Sequence, residues 1–129
     1  MKKLRVLQII PSFGVGGAEK LVIDYLRNYD KEEMEMVAVS LYAPLGSIYD
    51  TIIMENNLKV IYLDKKPGLD LSIVRKLNKI INDYNPDIVH SHLHTLKYYF
   101  FSIINKNKIK SFHTIHSQPM KDANSLDRL

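Results

Sequence analysis

Three segments of this chain place glycine backbone or imidazole side chains where short β-branched runs end. They are Ile10-Pro-Ser-Phe-Gly-Val-Gly-Gly-Ala-Glu-Lys20, Pro86-Asp-Ile-Val-His-Ser-His-Leu-His94 and Phe112-His-Thr-Ile-His-Ser-Gln118. Glycine lets a backbone approach a ligand closely, and free amides at a helix start favour phosphate. Imidazole can ligate metal, shuttle protons or hydrogen-bond a sugar hydroxyl. In an open parallel sheet, ligands bind beyond the carboxyl ends of the strands. Three such loops at one sheet edge would surround a single cleft, suited to a polar, phosphorylated small molecule.

The glycine turn itself excludes two common phosphate binders. Gly14, Gly16 and Gly17 follow an apolar run and open a helical pattern, but a dinucleotide fingerprint needs a third glycine where Glu19 stands. No acidic residue ends the second apolar run near Tyr42, where a ribose partner would sit. A Walker A loop is absent as well, because no Gly-Lys-Ser/Thr follows. On spacing alone, a tight strand–helix turn that needs glycine only for its geometry explains the segment equally well. Glu19 in a first helical turn favours the helix dipole and needs no catalytic role.

His90, His92 and His94 alternate, and His113 and His116 lie on or just past the last apolar run. Alternation lets His90 and His92 share one face of a strand. Zinc usually takes three or four ligands, and the nearest acid, Asp87, sits at the wrong end of that strand, so no metal site is expected. Each histidine taken singly reads as a packed or exposed side chain. Both clusters nevertheless end strands at the same edge, so at least one histidine is expected to be functional.

Elements at regular intervals must position these residues. Leu4–Ile10 reads as a buried strand, Pro11–Val15 as a loop and Gly16–Tyr29 as a helix with Ala18, Leu21, Val22, Tyr25, Leu26 and Tyr29 on one face. Met34–Tyr42 is the second strand, Ser47–Asn56 a short helix and Leu58–Leu63 a third strand. Asp64–Asp70 is a loop, and Leu71–Tyr84 a strongly amphipathic helix stopped by Asn85-Pro86. Asp87–Ser91 is a strand, Leu93–Asn105 a helix and Ile109–Ile115 the last strand, while residues 119–129 are polar, like a helix cut short. Strands alternating with helices predict an α/β fold: a doubly wound, mostly parallel sheet with helices on both faces.

Size and composition agree. The 129 residues form one domain, 1–129, with 46% hydrophobic and 25% charged residues and no cysteine. The missing cysteine excludes disulfides and thiolate metal sites and fits a reducing cytoplasm. A net charge of +4 is too weak to indicate nucleic-acid binding. Clusters such as Lys65-Lys66, Arg75-Lys76 with Lys79, and Lys106, Lys108, Lys110 read as solvated faces, or more sharply as contact with an anionic membrane surface or ligand. The run Tyr98–Ile104 is far too short to span a bilayer. The start Met-Lys-Lys imitates a signal peptide, but Arg5, Gln8 and Pro11 interrupt it.

Taken together, the motifs resemble the N-terminal, acceptor-side domain of retaining glycosyltransferases of the GT-B fold, family 4. Gly16-Gly17-Ala18-Glu19 is similar to that family's Gly-Gly-x-Glu turn, Pro86-Asp87-Ile88-Val89-His90-Ser91-His92 to its Pro-Asp-x-x-His-x-His strand, and Thr114-Ile115-His116 to its Thr-x-His strand end. Lys66-Pro67-Gly68 sits where many members carry a similar loop. The resemblance implies a Rossmann-like half of an enzyme that transfers a sugar from a nucleotide-sugar donor to a glycan or lipid-linked acceptor, as in surface polysaccharide synthesis, without a cofactor or metal. It implies that Gly16 and Gly17 contact the donor diphosphate, that His116 lies by the reacting sugar, and that His92 and His113 lie on the acceptor side. His90 would be structural. The donor-binding C-terminal domain, with its paired glutamates, has no counterpart in these residues, so the chain alone is expected to be inactive. Alternative readings are a non-catalytic subunit pairing with a separate donor-binding chain, or a stand-alone nucleotide- or phosphate-binding module. The location implied is cytoplasmic, with peripheral contact at the inner membrane face.

Overall fold

In the computed structural model, residues 2–14, 16–102 and 108–115 are described. The chain runs β1 (Leu4–Ile10), α1 (Gly17–Asn28), β2 (Met34–Ser40), α2 (Ile48–Glu55), β3 (Val60–Tyr62), α3 (Ser72–Tyr84), β4 (Ile88–His92), α4 (Leu96–Ser102) and β5 (Lys110–Thr114), with a 3-10 turn at Leu93–Thr95 before α4. The strands form one sheet in the order β3-β2-β1-β4-β5, and every described pairing is parallel. The fold is thus the expected Rossmann-like α/β sheet.

Alternation along the strands builds two cores. Leu7, Ile9, Val39 and Val89 face Ile73, Leu77 and Ile81 of α3 and Tyr98 and Tyr99 of α4. Val6, Ile10, Met36 and Ala38 face Ala18, Val22, Ile23 and Leu26 of α1 and Ile53 of α2. The chain lays strands outward to one side of β1 and then crosses to the other. Because crossovers between parallel strands are right-handed, that reversal sends α1 and α2 to one face and α3 and α4 to the other. The reversal falls between β1 and β4, which places the topological switch point between their carboxyl ends.

Several boundaries differ from the sequence reading for local reasons. The expected helix Leu93–Asn105 starts late: Leu93 takes a left-handed φ of 57° and His94 stays non-helical, so α4 proper begins at Leu96. Strand β4 runs one residue further than expected, through His92, because its last residue still pairs in register with Thr114. On α1, Ile23 is buried and Tyr25 is 38% exposed, reversing their expected places, because among the described residues no helix covers the flank of α1 over β4 and β5. Within Tyr98–Phe101, Tyr98 and Tyr99 pack on the sheet and Phe100 and Phe101 are exposed. The stop at Asn85 is as expected, and Asn57, just past α2, shares its left-handed φ.

The Pro86-Asp87 pair has a structural duty. Asp87 Oδ2 accepts the Arg5 amide at 2.8 Å and the Asp87 amide donates to the Arg5 carbonyl at 2.8 Å, so the motif closes the amino end of the β1–β4 pair.

Two carboxylates, Asp50 in the first turn of α2 and Asp70 in the loop before α3, tie the carboxyl edge together. Asp50 accepts from the Leu45 amide (2.8 Å), the Ser47 amide (3.1 Å) and the Tyr62 hydroxyl (2.8 Å), forming a capping box with Ser47. Partial burial works against ionisation of Asp50, but these hydrogen bonds outweigh it and hold its pKa below the ordinary value. The Lys66 amide, joined by the Ser72 hydroxyl, holds Asp70 at about 2. A depressed carboxylate stabilises the fold above its unfolded pKa of roughly 4, and that stabilisation is lost as pH falls through the folded value. Thermal stability is therefore expected to drop between about pH 4 and pH 2. Asp50→Asn should lower the melting temperature at pH 7 and flatten this acid slope. Melting curves across the acid range check it.

Candidate active site at the switch point

The β1–α1 loop is built on anchored backbone. The Leu41 amide donates to the Ile10 carbonyl (3.0 Å) and the Tyr42 amide to the Pro11 carbonyl (2.9 Å), so β2 holds the loop's first residues. Phe13 is 1% exposed and meets Tyr62 edge-on at 6.4 Å between ring centroids. The Ser47 hydroxyl donates to the Phe13 carbonyl. The Ser47–Asp50–Tyr62 network thereby fixes the height of the glycine turn above the sheet. Sequence reasoning gave Ser47 and Asp50 no site role, although the Ser-x-x-Asp spacing was a visible signal of a helix start.

Gly16 is the N-cap of α1, in extended backbone that any residue adopts (φ −174°). A side chain there would collide with the Glu19 carboxylate, which folds back over the helix start. Burial raises the Glu19 pKa, against a hydrogen bond from its own backbone amide. Gly17 differs. It lies in the first helical turn, and a Cβ built on it meets nothing within 4 Å. Neither φ nor packing among the described residues requires glycine at 17. The space over its α-carbon opens at the amino end of a helix, where backbone amides favour an anion.

The histidines divide between faces and depths. His92 is fully buried, with Nε2 2.7 Å from Gln8 Oε1, and its ring lies 4.0 Å from that of His90. In this arrangement an acceptor would reach His92 only through its neighbours. His90 lies mid-strand, in register with Gln8, and its Nε2 is 2.5 Å from Thr114 Oγ1. His113 pairs in register with Ser91, with Nδ1 2.7 Å from Ser91 Oγ, and alternation puts this pair on the sheet face opposite His90 and His92. The expected single cleft of imidazoles is therefore not formed by these three residues. His94, in the 3-10 turn after β4, is exposed at the carboxyl edge. His116 lies outside the described residues. Among the described residues no group of three His, Cys, Asp or Glu could hold a metal ion.

Gln8 is the polar residue that sequence reasoning passed over. It is 2% exposed in mid-β1, and the signal was a lone amide inside an apolar strand. Its pairing with His92 yields an expected result. His92→Leu strips a hydrogen-bond partner from a buried amide and should cost about 1–3 kcal/mol. The double variant with Gln8→Leu should be less destabilised than the sum of the singles. Urea unfolding of the four proteins checks it.

A cavity of about 560 Å³ lies elsewhere, lined by Val6, Tyr25, Tyr29, Ile88, His90 and Phe112 among others. It lies over the sheet beside α1, on a face that no described helix covers, and is mostly apolar. It is not the space over the glycine turn.

A family model described as Glycosyltransferase Family 4 matches residues 15–128. No curated protein matches. A glycosyltransferase from Rickettsia africae ESF-5 superposes with TM-score 0.69 at 17% identity, over 97% of this chain and 34% of that one. A putative UDP-N-acetylglucosamine 2-epimerase from Listeria monocytogenes gives 0.63 at 21% identity, over 88% and 32%. A UDP-GlcNAc 2-epimerase from Neisseria meningitidis, solved bound to UDP-GlcNAc, gives 0.53 at 16%, over 87% and 31%. The chain thus spans about a third of the length of these structures. The similarity is one of fold.

Proposed function

The chain belongs to glycosyltransferase family 4, and from that premise we propose that it is the acceptor-side domain of an enzyme that transfers a sugar from a nucleotide-sugar donor, with retention, to a glycan or lipid-linked acceptor. The observation that carries this reading is Gly17: a glycine at the switch point that, among the described residues, neither backbone conformation nor the surrounding packing explains. A ligand that must approach the backbone closely supplies the missing reason.

In this reading the first amides of α1, at Gly16 and Gly17, meet the donor diphosphate. As the bond from the anomeric carbon to the diphosphate oxygen breaks, the leaving group gains negative charge. Amides fixed beforehand stabilise that charge without reorganising. A diphosphate arriving there displaces the Glu19 carboxylate, the anion that lies over this helix start. His116 positions or polarises the reacting sugar and His113 serves the acceptor side, while the buried His92, on the opposite sheet face and bonded to Gln8, acts on an acceptor only through its neighbours. The grip on base and ribose comes from a second, donor-binding body, in the same chain or as a separate subunit. Among the described residues no helix is long and apolar enough to cross a membrane. The reading itself, not that absence, assigns the enzyme to the cytoplasmic side.

The test joins this domain to its donor-binding half and follows transfer from a panel of nucleotide-diphosphate sugars, with product anomer read by NMR. The joined enzyme is expected to turn over with retention, and residues 1–129 alone to show none above background. Tight mononucleotide binding by residues 1–129 alone, without transfer by the joined protein, would point instead to a stand-alone nucleotide-binding module.

A further inference from the structure

We infer that Ser47 is a positioning residue for sugar transfer: its hydroxyl holds the β1–α1 loop at the height where the first amides of α1 meet the donor diphosphate. This role presupposes the diphosphate reading of the glycine turn. Ser47 lies outside the three motifs, as the N-cap of α2. Its Oγ accepts the Asp50 amide at 3.1 Å, which is the ordinary work of a helix cap. The hydroxyl hydrogen is left for one acceptor. The Phe13 carbonyl oxygen is the nearer candidate, while Asp50 Oδ2 lies 3.2 Å away and is already supplied by the Leu45 and Ser47 amides. The hydrogen therefore goes to the Phe13 carbonyl, and among the described residues no other donor reaches that oxygen.

A helix cap needs no such partner. Phe13 is gripped by its side chain as well, because its buried ring meets Tyr62, whose hydroxyl donates to Asp50 Oδ1 at 2.8 Å. Cap, carboxylate and ring thus hold one residue of the loop as a unit. Leu45 adds to the hold, since a Cβ built on Gly14 would lie 3.7 Å from Leu45 Cδ1. Only residues 14 and 15 separate Phe13 from Gly16, the N-cap of α1. On the far side, Ala18 and Val22 pack α1 into the same core as Phe13. A shift at Phe13 therefore reaches the amides of Gly16 and Gly17 with little slack. Amides stabilise developing charge only when already in place, and a misplacement of about 1 Å can cost about 100-fold in rate. Asp, Asn and Gly would also cap α2, but only Ser and Thr cap and donate through one oxygen.

Two substitutions separate the hydroxyl from the cap. Glycine is a tolerated N-cap without a hydroxyl, and threonine keeps the hydroxyl. In the enzyme joined to its donor-binding half, Ser47→Gly is expected to lower kcat about 10- to 100-fold, with donor KM within about 3-fold of the parent's and a melting temperature close to it. Ser47→Thr is expected to keep parental kcat. A Ser47 that serves stability alone would instead lower the melting temperature in Ser47→Gly and leave kcat unmoved. Circular dichroism establishes folding, and Ser47→Asp, a cap with no hydrogen to donate, replaces Ser47→Gly where that variant does not fold. Parental kcat in Ser47→Gly, or an equal loss in Ser47→Thr, would overturn the role. Gly17→Leu in the same joined enzyme tells this failure from that of the diphosphate reading. Impaired transfer in Gly17→Leu beside parental Ser47→Gly defeats the role of Ser47 alone, whereas parental transfer in Gly17→Leu defeats the reading and this role with it.

Discussion

His116→Ala, in an enzyme carrying both this domain and its donor-binding half, is expected to cut kcat for glycosyl transfer about 100- to 1,000-fold, the range seen when one preorganised polar contact to a transition state is removed. The reason is position. In sequence His116 follows Thr114, the last residue of β5, by two residues, and doubly wound sheets bind ligands beyond the carboxyl ends of their strands. His113, three residues earlier, is engaged with Ser91 inside the sheet. The two histidines therefore separate cleanly. His113→Ala should act chiefly on stability and acceptor KM, and His116→Ala on kcat, with the melting temperature of the His116 variant unchanged. Steady-state kinetics on both variants read the split. Parental turnover in His116→Ala would remove that residue from the mechanism.

The largest effect on the fold is expected at Leu77. Its side chain is fully buried between α3 and the sheet, in the core that also holds Leu7, Ile9 and Val89. Leu77→Ala removes apolar contacts and leaves a cavity that a rigid parallel sheet fills poorly, so the loss should be about 3 kcal/mol, within the usual 2–5 for such changes. For a domain of this size that is a large part of its total stability. Met54, 72% exposed on α2, is the matched control, and Met54→Ala should stay within about 0.5 kcal/mol. Urea midpoints at unchanged m-value distinguish lost stability from altered compactness.

Much of this follows from local pattern. The strands alternate or run apolar at lengths that only a sheet buries, α3 carries Ile73, Leu77 and Ile81 at helical spacing, and Asn57 and Asn85 end helices as their side chains allow. These are nearest-neighbour properties, so the α/β order, the approximate element boundaries and the glycine turn at the start of α1 were legible in the chain itself. The motifs were legible too, but not the division of labour within them. Asp87 sits in a ligand-site motif and closes the amino end of two strands. His90 and Thr114 belong to separate motifs and bond to each other. Whether an imidazole reaches a cleft or a neighbour depends on register between strands dozens of residues apart. Ser91 opposite His113, and Gln8 close enough to His92 to bond it, are matters of pairing that no local spacing encodes. The same holds for Gly17. Sequence supplied the glycine, but only the packed structure revealed that nothing around it among the described residues requires one. Hydrophobic periodicity thus set the elements, because burial is decided residue by residue, while strand order and register decided which polar groups face ligand and which face each other.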